Sequence, residues 1–152
     1  MNSTSWTPCG RVTLCEEGRP KFPEVNSDPG IYRLILDNGW YYIGESQNLA
    51  KRLSEYRRRP AAGIVQEHRL HHALKEAGGA IVETMTGSSL NDKTTRTMIE
   101  ADLIRAARLE GKRLLNGGGE DQEYCIRLDI KFHETEIAKL RNKLRAMSQE
   151  KE

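Results

Sequence analysis

Residues 30–56 read GIYRLILDNGWYYIGESQNLAKRLSEY, and the fold is decided there. Tyr32, Leu34 and Leu36 alternate with Arg33 and Ile35, the two-residue period of a strand. Asp37-Asn38-Gly39 is a turn signal, because Asn and Gly accept positive φ and suit a hairpin connection. Trp40, Tyr41, Tyr42 and Ile43 are aromatic or β-branched and fit the returning strand. Tyr32 and Tyr42 then lie on adjacent antiparallel strands, where a register bringing them together is compatible with the sequence but not fixed by it. Gly44 closes the second strand, and Ser46 is placed to cap a helix. Leu49, Leu53 and Tyr56 follow at helical spacing, which buries one side. Arg52 and Tyr56 are four apart, one turn from each other on one flank. Two tyrosines on a hairpin and an Arg–Tyr pair on the next helix are groups that can converge on a phosphate.

A chain of 152 residues is one domain by length, with mass for a single core. Its 37% hydrophobic and 30% charged residues are polar but globular, so disorder is not implied for the middle. The formal net charge is only +2, so local clustering carries more weight than the total. Lys51, Arg52, Arg57, Arg58 and Arg59 form a basic run at the end of the first helix. By itself such a run is a solvated helix end favoured by the macrodipole; beside a phosphate site it is a phosphate contact. No stretch approaches the length of a transmembrane helix. The N-terminus lacks a basic segment followed by an apolar core. A cytoplasmic protein without membrane contact is expected. Cys9, Cys15 and Cys125 are three, without a C-x-x-C pair, and read as reduced thiols. A zinc site from these cysteines with His68, His71, His72 or His133 lacks the paired ligand spacing.

Before the hairpin, residues 1–29 are rich in Ser, Thr, Pro and Gly. Val12-Thr13-Leu14 fits a short strand, and Pro20, Pro23 and Pro29 argue for an irregular arm lying on the domain, with Trp6 as its anchor. After Tyr56, a loop from Arg57 to Gly63 precedes a second helix from Ile64 to Ala77, ended by Gly78-Gly79. His68, His71 and His72 on it are surface or packing residues, or DNA contacts or a proton relay. Ala80 to Thr86 is β-branched and reads as a third strand. A long helix follows over roughly Asn91 to Glu110, with Met98, Ile99, Leu103, Ala106 and Ala107 on its core face and Glu100 at the edge. Leu114-Leu115-Asn116 precede a glycine triplet. Glu120 to Lys131 reads as a connector and Phe132 to Met147 as a last helix. Ile130, His133, Ile137, Leu140, Leu144 and Met147 repeat at alternating three and four residues, a narrow seam of a/d type.

The stretch resembles the GIY-YIG nuclease family. It reads GIY, nine residues, YIG, an Arg eight positions past the Gly and a Tyr four beyond it, in the family's order and spacing. The resemblance covers roughly Gly30 to Asn116. It implies that Glu100, on the long helix after the third strand, is the metal ligand; Asp102 is the neighbouring carboxylate at a different phase. Asn116 matches the Asn that follows this helix in the family, and as a residue it is also a helix stop whose amide can hold a turn and a neighbouring loop. The position after YIG, often Lys, Ser or Thr in relatives, is Glu45.

The fold expected is α+β, a small three-stranded antiparallel sheet flanked by helices in the order β-β-α-α-β-α-α, with an extra C-terminal helix. The divisions are an N-terminal arm (1–29), the nuclease-like core (30–119), and a connector with the C-terminal amphipathic helix (120–152). The function implied is metal-dependent hydrolysis of DNA phosphodiesters. Glu100 would hold Mg²⁺, or Mn²⁺ in its place, as an ion that keeps several waters. Arg52 would neutralise charge on the phosphate. Tyr32 takes the base role first, Tyr42 supports it with a hydrogen bond, and Tyr56 contacts the phosphate or tunes the network. Asn116 completes the set, and Lys51 with Arg57, Arg58 and Arg59 would track the DNA. The alternative class is a non-catalytic DNA-binding or scaffolding module. For the C-terminal seam, docking on the chain's own domain and a homodimer are both open.

Overall fold

A computed structural model of the chain describes residues 5–56, 65–117 and 121–151, with the side chains of 65–68 not among the described parts. The elements run β1 (Thr7–Leu14), β2 (Pro20–Lys21), β3 (Gly30–Leu36), β4 (Trp40–Ser46), α1 (Leu49–Glu55), α2 (Val65–Ala77), β5 (Ala80–Thr86), a 3₁₀ turn (Ser88–Asn91), α3 (Lys93–Leu109), β6 (Arg113–Leu114) and α4 (Gln122–Glu150). The expected α+β architecture is present, but the sheet has six strands in the order β2-β1-β5-β3-β4-β6, not three. The three expected strands form its centre. The added pairs are antiparallel for β1 on β5 and β2 on β1, and parallel for β6 on β4.

The N-terminal stretch is therefore part of the sheet and not an irregular arm. Pro8 and Gly10 lie at a register shift where β1 pairs β5, a bulge that absorbs the residues which hide the strand pattern. Val12 and Phe22 from this stretch are buried in the main core. The hairpin turn uses positive φ at Gly39 alone, at +92°, with the Gly39 amide donating to the Leu36 carbonyl at 2.9 Å. Asn48, not Ser46, caps α1, its side chain accepting from the Lys51 amide at 3.0 Å. Ser46 instead exchanges hydrogen bonds with the Asn48 backbone.

Both faces of the sheet are covered. On one, Tyr32, Leu34 and Leu36 pack with Leu49 and Leu53 of α1, Leu70 and Leu74 of α2, and Leu128 of α4. On the other, Ile31, Ile43 and Met85 meet Ile99, Leu103, Ile104 and Ala107 of α3. This double cover explains the length of the apolar runs in the central strands. Met98, expected on the core face of α3, is 63% exposed, because the helix begins at Lys93 under an Asp92 cap and presents Ile99 and Leu103 inward.

The connector expected over 120–131 is the first third of a 29-residue α4. Cys125, Leu128 and Phe132 are its buried positions. Trp40 stacks on Tyr124 with centroids 4.1 Å apart. Arg69 of α2 grips Asp129 with two hydrogen bonds of 2.9 and 2.7 Å and also donates to the Leu115 carbonyl at 3.1 Å. Among the described residues no helix is long and apolar enough to cross a membrane.

Arg69 thus ties α2, α4 and the chain after β6 together from a largely buried position. Removing one partner leaves the Asp129 carboxylate shielded and unpaired. Arg69→Met is expected to cost on the order of 3 kcal/mol, read as a lower urea midpoint at unchanged slope. A change below about 0.5 kcal/mol would assign the anchoring of α4 to Leu128 and Phe132 alone.

Candidate active site

The register pairs Tyr32 with Gly44 and Leu34 with Tyr42. Tyr32 and Tyr42 are diagonal neighbours on one face, with ring centroids 6.2 Å apart. Gly44 has a steric reason to be glycine. A Cβ built there would stand 2.3 Å from the Tyr32 ring and hydroxyl, so the ring lies across bare backbone. Tyr56 comes in from the end of α1, and its hydroxyl meets that of Tyr32 at 2.6 Å. Phe22 stacks against the Tyr56 ring, centroids 5.6 Å apart, which gives the N-terminal stretch a part in holding the site.

Arg52 lies over the Tyr56 ring at 4.8 Å and donates to Glu55 at 3.2 Å. Its guanidinium is also close enough to hydrogen-bond Tyr32. Beside it, Ser46, Gln47, Asn48, Lys51, Arg52 and Glu55 line an open cleft of about 460 Å³. Lys51 is exposed there. Arg57, Arg58 and Arg59 lie outside the described residues.

Burial pushes the hydroxyls of Tyr32, Tyr42 and Tyr56 above the ordinary tyrosine value. For Tyr32 the Tyr56 hydrogen bond and the Arg52 charge pull the other way. All three are neutral phenols at neutral pH, held as a hydrogen-bonded cluster under one cation.

Glu100 is half-buried on α3 and faces β4. Burial pushes its carboxyl up, and the charge of Glu45 adds to the shift, while the Glu45 backbone amide bonds to it. Glu100 also acts on the protonation of Tyr32 and Tyr42 through its charge. α3 holds this carboxylate beside Glu45 of β4, packed on the sheet face opposite the tyrosine cluster. Asp102 points elsewhere, exposed and paired with Arg105 at 3.4 Å.

Asn116 reaches β4 as well. Its side-chain oxygen accepts from the Ile43 amide at 3.1 Å and its nitrogen donates to the Ile43 carbonyl at 2.7 Å. The Leu115 amide bonds the Tyr41 carbonyl just before it, so the Asn116 side chain extends the β6 ladder along the YIG strand. His71 and His72 on α2 lie edge to face at 6.4 Å, and the His68 side chain is outside the described parts.

Sequence reasoning missed Arg96. It is 3% exposed, and its Nε donates to Glu45 at 2.7 Å. It also donates to the carbonyls of Leu90 at 3.1 Å and Asn91 at 3.4 Å. A buried guanidinium with three acceptors fixes Glu45, whose amide in turn meets Glu100. The signal was available: Arg96 is one turn before Glu100 on the same helix flank, and Glu45 stands where a cation or hydroxyl was expected.

In motif order over Gly30 to Asn116 the chain resembles the GIY-YIG class. The chain is similar to the UvrABC system protein C of Brucella abortus (strain 2308), 32% identical over 83 residues, 54% of this chain and 12% of that protein. The corresponding protein of Paenarthrobacter aurescens is 33% identical over 73 residues, 47% of this chain and 10% of its own length. The match thus spans only about a tenth of these relatives. No family model matches. A solved mutant of bacteriophage T4 EndoII shares the fold at a TM-score of 0.52 and 21% identity, over 68% of this chain and 88% of that one.

Gly44→Ala tests the arrangement without removing a polar group. Overpacking against the Tyr32 ring is expected to cost about 1–3 kcal/mol and to break the Tyr32–Tyr56 bond. Denaturation with near-ultraviolet circular dichroism of the tyrosines reads both effects. A neutral substitution with an unchanged tyrosine signal would refute the close approach.

Proposed function

We propose that the chain is a divalent-metal-dependent endonuclease that hydrolyses DNA phosphodiesters. The observation that carries this is the convergence of a hydrogen-bonded tyrosine pair, one arginine and one half-buried carboxylate beside an open polar cleft. Phosphodiester hydrolysis needs an oriented water, neutralisation of charge at phosphorus and help for the leaving oxygen. The similarity to UvrABC system protein C and the fold shared with EndoII support the same reading.

Glu100 is the residue that would hold the ion. Its carboxyl is disfavoured in ionised form by burial and by Glu45, and a cation would relieve both effects. Among the described residues no three His, Cys, Asp or Glu side chains come together. The single Glu100 carboxylate would suit Mg²⁺, or Mn²⁺, which take oxygen ligands and leave part of their shell to water and phosphate. When bound, the ion would supply charge neutralisation on the phosphate and a more acidic water.

The chain's own groups divide the rest. Arg52 would take the non-bridging phosphate oxygens, with Glu55 and the Tyr56 ring fixing its plane. Tyr32 would orient the attacking water and would serve as its base only after giving up its own hydroxyl proton to solvent, a loss that burial opposes and that the Tyr56 hydrogen bond and Arg52 favour. Tyr42 supports that hydroxyl from the next strand. Asn116 would complete the set, holding Ile43 of the YIG strand through both its amide and its carbonyl. Lys51, with Arg57, Arg58 and Arg59, would follow the DNA backbone.

Glu100→Gln is expected to abolish ion-dependent cleavage of duplex DNA while leaving DNA binding largely intact; near-wild-type cleavage in saturating Mg²⁺ would remove Glu100 from the reaction. Arg52→Ala is expected to lower kcat by about 10²–10³ with DNA affinity changed less than about threefold. A loss in affinity alone would make Arg52 an anchor.

Glu100 also carries a stability signature. Its folded pKa lies above the ordinary value of 4.5, so the protonated form is the one the fold favours. That favourable contribution is complete below 4.5 and is lost as pH rises through the folded value. In metal-free protein, Glu100→Gln should therefore melt above wild type at about pH 8 and level with it at about pH 3.5. The opposite order at high pH would show an ionised Glu100 already neutralised by the protein.

A further inference from the structure

The distal part of α4 leaves the body of the molecule. After Phe132 no residue of the helix is buried. Ile130, Ile137, Leu140, Leu144 and Met147 are between 49% and 66% exposed. The seam does not dock on its own domain. Its spacing of 3.5 residues is that of a stripe covered by one other helix.

We infer that the cover is a second copy of the same helix, running antiparallel, in one register. Ile130, Ile137 and Leu144 occupy a positions, and His133, Leu140 and Met147 occupy d positions. In an antiparallel pair, a residues layer against d residues of the partner helix, while e faces e and g faces g. Centring the pair between residues 138 and 139 sets Ile137 against Leu140, Ile130 against Met147 and Leu144 against His133. On the e flank Glu134 then faces Arg141. On the g flank Glu136, bonded to Lys139 at 3.0 Å within its own helix, faces Lys143. The dyad repeats each pair, so four facing pairs all have opposite sign.

Competing arrangements lose this match. Slipping the antiparallel pair by one heptad faces Glu134 with itself and Glu136 with itself. Slipping it the other way faces Arg141 with itself and Lys143 with itself. A parallel pair keeps only Glu136 against Arg141, two opposite-sign pairs across the dyad instead of four, and sets Lys143 against Ser148 and Glu134 against an Asp129 already paired with Arg69. Like charges in the slipped registers and lost pairs in the parallel one disfavour these alternatives, which is how charge patterning selects orientation and register. The last g pair, Asp129 against Glu150, is like-signed, but Asp129 is already neutralised by Arg69 at 2.7 Å.

The overlap from Ile130 to Met147 is about 27 Å long at 1.5 Å per residue. This is a small interface, so association is read over a concentration series from about 1 to about 100 µM. Sedimentation of the full chain without DNA separates the result from any outcome at the nuclease-like site. Wild type is expected to dimerise, and Arg141→Glu to weaken the dimer about tenfold. The double exchange Glu134→Arg with Arg141→Glu restores the facing signs of the antiparallel register and is expected to return affinity to within about threefold. All of these positions are exposed, and circular dichroism of each variant verifies the helix. A wild-type monomer throughout the series would overturn the proposal. So would an unchanged dimer in Arg141→Glu, or a double exchange that fails to restore it.

Discussion

The site depends on how closely the Tyr32 ring approaches the backbone of Gly44. A side chain at residue 44 would occupy the space that the ring fills. With the ring in that position, the Tyr32 hydroxyl lies within 2.6 Å of Tyr56 at the end of α1. The close approach therefore fixes the strand register, the seating of the helix and the tyrosine pair together. Other contacts hold the same strand. Asn116 clamps Ile43 one residue before the glycine, and Arg96 holds Glu45 one residue after it. Three consecutive residues of β4 are thus restrained by a side-chain amide, an aromatic ring and a buried guanidinium.

Electrostatically the site is divided. One side is a cluster of neutral phenols whose ionisation burial opposes, with the Arg52 charge acting on it. The other side is a pair of carboxylates, Glu45 and Glu100, of which, among the described residues, Glu45 is ion-paired with Arg96. Glu100 is left with an amide donor and a neighbouring negative charge. A half-buried carboxylate whose ionised form is disfavoured marks a functional-site candidate, and the proposed cation would relieve that disfavour.

Much of this was legible in the sequence, for identifiable reasons. The hairpin and β5 were readable because their periodicity and turn residues are local, and β5 occupies the expected Ala80–Thr86. Tyr32, Tyr42, Arg52, Tyr56, Glu100 and Asn116 were named from the ordered motif; the fold groups the three tyrosines with Arg52, while Asn116 reaches the Ile43 backbone and Glu100 comes in from α3 beside Glu45. Of β1 only Val12, Thr13 and Leu14 were readable; the rest was not, because its hydrogen bonds go to β5 about seventy residues away and its Pro8 and Gly10 break the alternation. Arg96 was overlooked, despite its place one turn before Glu100, for a related reason. Its partner Glu45 is distant in sequence, and an arginine in a helix reads as surface until burial is known. The connector before Phe132 proved helical because Tyr124, Leu128 and Asp129 meet Trp40, the core and Arg69, contacts that no local pattern announces.

The proposed chemistry is tested most directly by incubating the purified full chain with supercoiled DNA and Mg²⁺ in water enriched in heavy oxygen, followed by mass analysis of the product ends. Hydrolysis with water as the nucleophile predicts ion-dependent conversion of the DNA and one heavy oxygen on each new phosphate terminus after a single turnover. DNA left intact with Mg²⁺ and with Mn²⁺, or cleaved products whose phosphates carry no heavy oxygen, would contradict the account.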